Sequence, residues 1–231
     1  WQWAGTSGAV NPLFISAPTL IVKAFLKLAQ GELLNDFLVS STEFLYGFGL
    51  AILVGIPLGI LMGWYRPFNA LLDPFVNFMY ATPRVALLPL MIIWLGIGLS
   101  SKVAYVFLGA VFAILINTIT GVKDLDAHLI KAARSFGASD FQVFRTIALP
   151  GSVPYIIGGI RLGLGHALIG VVTGELYGAS AGLGRLIAVA GNTFQTDKVF
   201  VGVIIIAGGG VLITTVFQRV ENHFQSWKPQ R

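Results

Sequence analysis

Cysteine is absent from the 231 residues, which rules out disulfides, thiol nucleophiles and cysteine metal sites. Charge is nearly as scarce. Asp, Glu, Lys and Arg make up 11% of the chain, where a soluble domain carries about 25%. Phosphate-cradling loops are missing as well: neither Gly-x4-Gly-Lys-Ser/Thr nor Gly-x-Gly-x-x-Gly occurs, so the chain has no nucleotide-binding loop of its own. No nucleophile elbow is expected, and His128, His166 and His223 lie too far apart in sequence for a zinc motif. His128 and His223 fall in polar stretches and are expected to be solvated. No catalytic residue, metal site or resident cofactor is expected.

What the chain has in quantity is apolar sequence, 55% of residues, gathered into long runs without charge. A hydrocarbon core about 30 Å thick needs roughly 20 apolar helical residues to cross it. Five runs reach that scale. The first is Phe44 to Tyr65, followed by a broken span made of Asn69–Pro83 and Val85–Ser101 around Arg84. Val103–Val122, Tyr155–Leu176 and Val199–Phe217 complete the set. The expected fold is therefore an all-α polytopic membrane protein.

Within the first run, Ala51, Gly55, Gly59 and Gly63 recur every four residues and share a helical stripe. Small residues at that spacing admit a close helix neighbour in lipid. Pro57 is expected to kink the same helix. Residues 1–41 are mixed and expected to stand outside the membrane. A helix opening at Pro18 would present Leu20, Ile21, Ala24, Phe25 and Leu28 on one face, with Lys23 and Lys27 opposite. It suits a membrane surface or packing on other loops equally well. The membrane domain is set at 42–231. No basic leader precedes Lys23, so no signal peptide is expected.

The only long charged stretch between spans is 123–150, which must lie in water. Gly137 should stop one short helix and Ser139-Asp140 start another. With five spans the ends face opposite sides. The tail's side collects Arg66, Lys123, Lys131, Arg134, Arg145, Arg219, Lys228 and Arg231. The other side has Lys23, Lys27, Lys102, Arg185 and Lys198. Basic loops mark the cytoplasm, so the 123–150 loop and the C-terminus are assigned there. The net charge of +5 is accounted for by orientation, and no nucleic-acid partner is expected.

Inside the spans, ionisable groups are costly and mark pathways or partners. Glu175, His166 and Arg84 are the candidates for a translocation path, with Asn117 and Thr118 as polar companions. Arg161 is expected to snorkel to the inner headgroups.

The charged loop reads Lys131-Ala132-Ala133, Arg134-Ser135-Phe136, Gly137-Ala138, and later Ile147-Ala148-Leu149-Pro150. It resembles the Glu-Ala-Ala-x3-Gly-x9-Ile-x-Leu-Pro signature of ABC importer permeases, with Lys131 in place of the Glu. Ile56-Pro57-Leu58-Gly59, Leu72-Asp73-Pro74, Ala86-Leu87-Leu88-Pro89-Leu90, Trp94-Leu95-Gly96-Ile97-Gly98 and Gly182-Leu183-Gly184 are similar to strings of the nitrate/sulfonate/taurine import permeases. The resemblance implies a type I importer fold in a bacterial-type inner membrane, six spans in the parent, and a first helix preceding Trp1. It implies a second permease copy, an extracytoplasmic solute-binding protein, and cytoplasmic ATPases that bind ATP and Mg in this chain's stead. It further implies coupling through 131–150 and a small anionic or polar organic cargo such as a sulfonate, taurine or nitrate. An ion-gradient-driven secondary transporter or channel is the alternative, since broken helices and an intramembrane carboxylate suit it too.

Overall fold

A computed structural model describes residues 1–3 and 14–224. Asn11-Pro12, Lys228, Arg231 and the side chain of His223 lie outside the described residues. The described chain is helical throughout, without a strand. Its helices are α1 (Pro18–Ala29), α2 (Leu33–Trp64), α3 (Arg66–Ala81), α4 (Arg84–Leu95), α5 (Leu99–Lys123), α6 (Ala127–Ser135) and α7 (Asp140–Val143). After a π turn at Phe144–Ala148 come α8 (Leu149–Leu176), α9 (Leu183–Asn192) and α10 (Thr196–Phe224). Four stretches are long and apolar enough to cross a membrane: Leu33–Trp64, Leu99–Lys123, Asp140–Leu176 and Thr196–Arg219. The pair α3 and α4, bent by 97° at Thr82-Pro83, makes a fifth if counted as one broken span.

Spans are longer than the charge-free runs suggest. The first span, α2, starts at Leu33, eleven residues before Phe44, so Asp36, Ser40 and Glu43 are helical and the 41/42 boundary falls inside α2. The helix continues through Pro57, and α8 likewise continues through Pro154.

The described residues divide into two compact units. One takes residues 1–47, 85–106 and 167–212. Its core joins Ile21 and Ala24 of α1 to Leu33, Leu183 and Val201, with Leu28 and Phe200 against them. The Trp1 ring lies 5.4 Å from that of Phe200, and its Nε1 donates to Ser16 O at 2.6 Å. α1 thus packs through Ile21, Ala24 and Leu28, while Leu20 and Phe25 of the expected apolar face remain exposed.

The other unit takes residues 48–84, 107–166 and 213–231, described to 224. Here α2 and α5 meet in strict register. A Cβ at Gly55 would stand 3.1 Å from Ile114, one at Gly59 2.6 Å from Thr118, and one at Gly63 2.6 Å from Val122. Ala51 and Ala110 are both fully buried. Steps of four on both helices mean that ridges of one seat in grooves of the other. At Gly59 no side chain fits, and the bare backbone lets dispersion act where lipid supplies no hydrophobic drive. α8 meets an adjoining flank of α5, with Gly159 against Asn117, Gly163 against Ile114 and Gly121 against Tyr155.

Candidate functional site

The elbow at 123–150 builds itself from local rules. Asp126 caps α6, accepting from His128 N at 2.7 Å. The helix ends where Gly137 takes φ +80°, a left-handed conformation that suits glycine. Gly137 N then donates to Arg134 O at 2.9 Å and Ala138 N to Ala133 O at 3.1 Å. Ser139 and Gln142 close a reciprocal capping box that starts α7. An Arg134–Asp140 ion pair of 2.9 Å spans the two helices. With both side chains more than half exposed, it contributes about 0–1 kcal/mol. The caps and the turn hold the shape.

The elbow is anchored within its unit at several points. The Trp64 and Phe144 rings lie 5.4 Å apart, Lys123 Nζ donates to Asn69 Oδ1 at 2.8 Å, and Tyr155 Oη to Asp124 Oδ2 at 2.7 Å. Its outer surface carries Lys131, Ala132, Arg134, Ser135, Phe136, Gly137 and Leu149 exposed, with Ala133, Ala138, Ile147 and Pro150 half-buried. Three large apolar side chains on it are more than half exposed: Leu129, Phe141 and Phe136, the last 92%.

The polar groups inside the helices fall into separate places. Arg84 opens α4 at the 97° bend. Its Nη1 donates to Gly109 O at 2.8 Å, and the guanidinium lies 5.9 Å from the Tyr80 ring centroid. His166 is exposed on α8. Thr118 is buried against Gly59 and bonds back to Ile114 O at 2.8 Å, as Asn117 does to Ala113 O. Arg161 Nε pairs at 3.2 Å with Glu221 of α10. The long helix α10 brings an acidic partner within reach, and a buried carboxylate needs one.

Glu175 joins a buried cluster in the other unit that sequence reasoning missed. Asp36 and Glu175 are each 1% exposed, Glu43 2%, with Ser40 and Lys102 also buried. Ser40 Oγ donates to Glu175 Oε1, and Lys102 Nζ donates to Gly98 O at 3.2 Å. Asp36 Oδ2 and Glu43 Oε2 have no partner among the described residues. The spacing Asp36, Ser40, Glu43 on one helical face was the available signal. Ending the span at its first charge concealed it.

Gly178-Ala179-Ser180-Ala181-Gly182 does spell Gly-x-Ser-x-Gly. It lies in the turn between two helices, whereas a nucleophile elbow sits at a strand-to-helix turn. The described residues contain no group of three or more His, Cys, Asp or Glu suited to a metal ion.

The binding-protein-dependent transport system inner membrane component family matches residues 55–226. The chain belongs to this family. As an ABC importer permease subunit, it is similar to permeases named for sulfur-containing cargo. It is 34% identical to the taurine transport system permease protein TauC of Escherichia coli K12, over 98% of this chain and 85% of that one. It is 36% identical to the putative aliphatic sulfonates transport permease protein SsuC of Bacillus subtilis 168, over 99% of this chain and 83% of that one. A solved structure of the inward-facing MetNI methionine ABC transporter shares the permease fold. The TM-score is 0.67 at 20% identity, covering 84% of this chain and 96% of that one.

Proposed function

We propose that this permease forms the solute path of an ATP-driven importer and is moved through the 131–150 elbow by a cytoplasmic P-loop ATPase. The observation that carries this is the elbow surface. Phe136, Phe141 and Leu129 are exposed beside the small residues Ala132, Ala133 and Gly137, in a loop that must lie in water. Exposed aromatics ringed by polar groups mark a protein contact. A short helix with small residues can sit deep in a partner's groove. Lys131 replaces the family's Glu, so a carboxylate on the ATPase is the complementary partner at that point. ATP and Mg are held by the ATPase.

The assembly has two permease copies, two ATPases and an extracytoplasmic solute-binding protein, with the elbow and C-terminus in the cytoplasm. The cargo is a small anionic or polar organic solute of the sulfonate, taurine or nitrate class. Similarity to permeases named for taurine and aliphatic sulfonates supports that class. Arg84, partly exposed at the bend of the broken span, and the exposed His166 supply donors toward such a solute. Asn117 and Thr118, bonded to their own helix, serve helix packing.

Uptake into proteoliposomes holding permease, ATPase and loaded receptor tests the reading. ATP-dependent accumulation of taurine or an alkanesulfonate is expected, with ATP hydrolysis lost when the permease is left out. Accumulation driven by an ion gradient without ATP would contradict it and support a secondary transporter.

A further inference from the structure

The first turn of α9 has no cap of its own. Gly182 occupies the N-cap position with φ +125° and no side chain to accept from the helix's first amides. A helix start leaves such amides unpaired, and a buried one must find a partner. Here three successive amides find three different side chains on two other helices. Gly182 N donates to Asp36 Oδ1 at 2.8 Å, Leu183 N to Ser40 Oγ at 2.9 Å, and Gly184 N to Glu175 Oε2. Ser40 Oγ, having accepted from Leu183, donates to Glu175 Oε1, which links the two helices beneath α9. Gly182 and Gly184 are required as glycines, because a Cβ on either would run into the Glu175 side chain.

We propose that Asp36, Ser40 and Glu175 are positioning residues for transport. Together they form a buried socket on α2 and α8 that grips the N-terminus of α9 and makes it move with them. On this account Glu175 touches no solute. Its Oε2 supplies an acceptor that the glycine N-cap lacks, and a carboxylate suits the positive end of a helix. The grip is specific to α9, since each of the three acceptors ends on its first turn. The inference needs family membership but not the ATPase-docking reading, and it fails or stands independently of the elbow.

The test is thiol labelling in membranes, and the cysteine-free chain provides a clean background. Ala190 of α9, buried against the unit, is changed to Cys, and the rate of maleimide modification is measured with each socket variant. Ala110→Cys on α5, fully buried, is the control. Losing one buried hydrogen bond should raise the local opening of α9, and the Ala190→Cys rate, roughly tenfold. That rise is expected in Glu175→Leu, Ser40→Ala and Asp36→Leu. Asp36→Asn retains the oxygen that Gly182 needs and should label close to the parent rate. Taurine or alkanesulfonate uptake should follow the same order, while ATPase co-purification stays unchanged. An unchanged Ala190→Cys rate in Glu175→Leu and Asp36→Leu would overturn the proposal. So would an equal rise at Ala110→Cys, which would mean that these residues support the fold at large. Asp36→Asn behaving like Asp36→Leu would overturn it too.

Discussion

Two glycines show how differently one residue type can matter. Gly59 is confined from outside: a Cβ there would stand 2.6 Å from Thr118 Cβ on the facing helix. Gly59→Leu should force α2 and α5 apart, at a cost of about 1–3 kcal/mol or more. The expected outcome is a sharply lower yield of intact permease in size-exclusion chromatography; a normal yield would place the stripe against lipid. Gly137 is confined from within, by φ +80° in open space. Gly137→Phe should leave membrane insertion intact and strain only the elbow turn, by about 1–2 kcal/mol. Transport should fall at least tenfold while some ATP hydrolysis persists, read by uptake and phosphate release on the same sample. The Gly137 turn could be foreseen because local chemistry sets it. The tight fit at Gly59 was legible only as a stripe, since the partner that makes it tight lies about 59 residues further along the chain.

At the scale of elements, the joints between helices carry the argument. The elbow runs into α8 through a π turn at Phe144–Ala148, which holds one residue more than an α-helical turn needs. Deleting Thr146 should restore plain α-helix and abolish the widened turn by which the elbow joins α8. Folding and insertion should survive and coupling should not, as measured by ATPase co-purification and uptake. A second joint is Arg161 with Glu221. Arg161→Met would leave a nearly buried carboxylate without its cation, and should destabilise the permease by about 1–3 kcal/mol. Arg161→Lys should recover most of that in thermal unfolding. This joint and the socket under α9 were hidden in the sequence for one reason. Asp36 and Glu43 stand ahead of the first charge-free run and Glu221 beyond the last, yet helices bury all three because another element meets them. Gly137 and Ser139, whose roles are a local helix stop and start, were readable where they stand.

At the scale of the whole molecule, composition decided the solvent and periodicity the helices. Four long apolar helices and one bent pair among the described residues correspond to the five spans expected from apolar sequence. The chain's place among importer permeases follows from a match over residues 55–226 and from relatives aligned along nearly all of it. What the sequence could not say is which surfaces a partner covers, because an exposed apolar side chain looks the same whether it faces lipid, protein or water. In a loop with the charge density of 123–150, lipid is excluded, and Phe136 then stands as the most exposed apolar handle. A Phe136→Ser change should leave thermal stability within about 0.5 kcal/mol and weaken ATPase association about tenfold, in a binding titration.

The central claim is that this elbow is where an outside motor grips the helices. It is tested most directly by Phe136→Cys in inside-out membrane vesicles, in an otherwise cysteine-free chain, with a short thiol crosslinker and the neighbouring P-loop ATPase present. The account predicts one crosslinked product joining the permease to that ATPase, with a yield that changes when ATP is added. Labelling of the introduced thiol only from the extracytoplasmic face, or no crosslink while ATP-driven uptake proceeds, would contradict it.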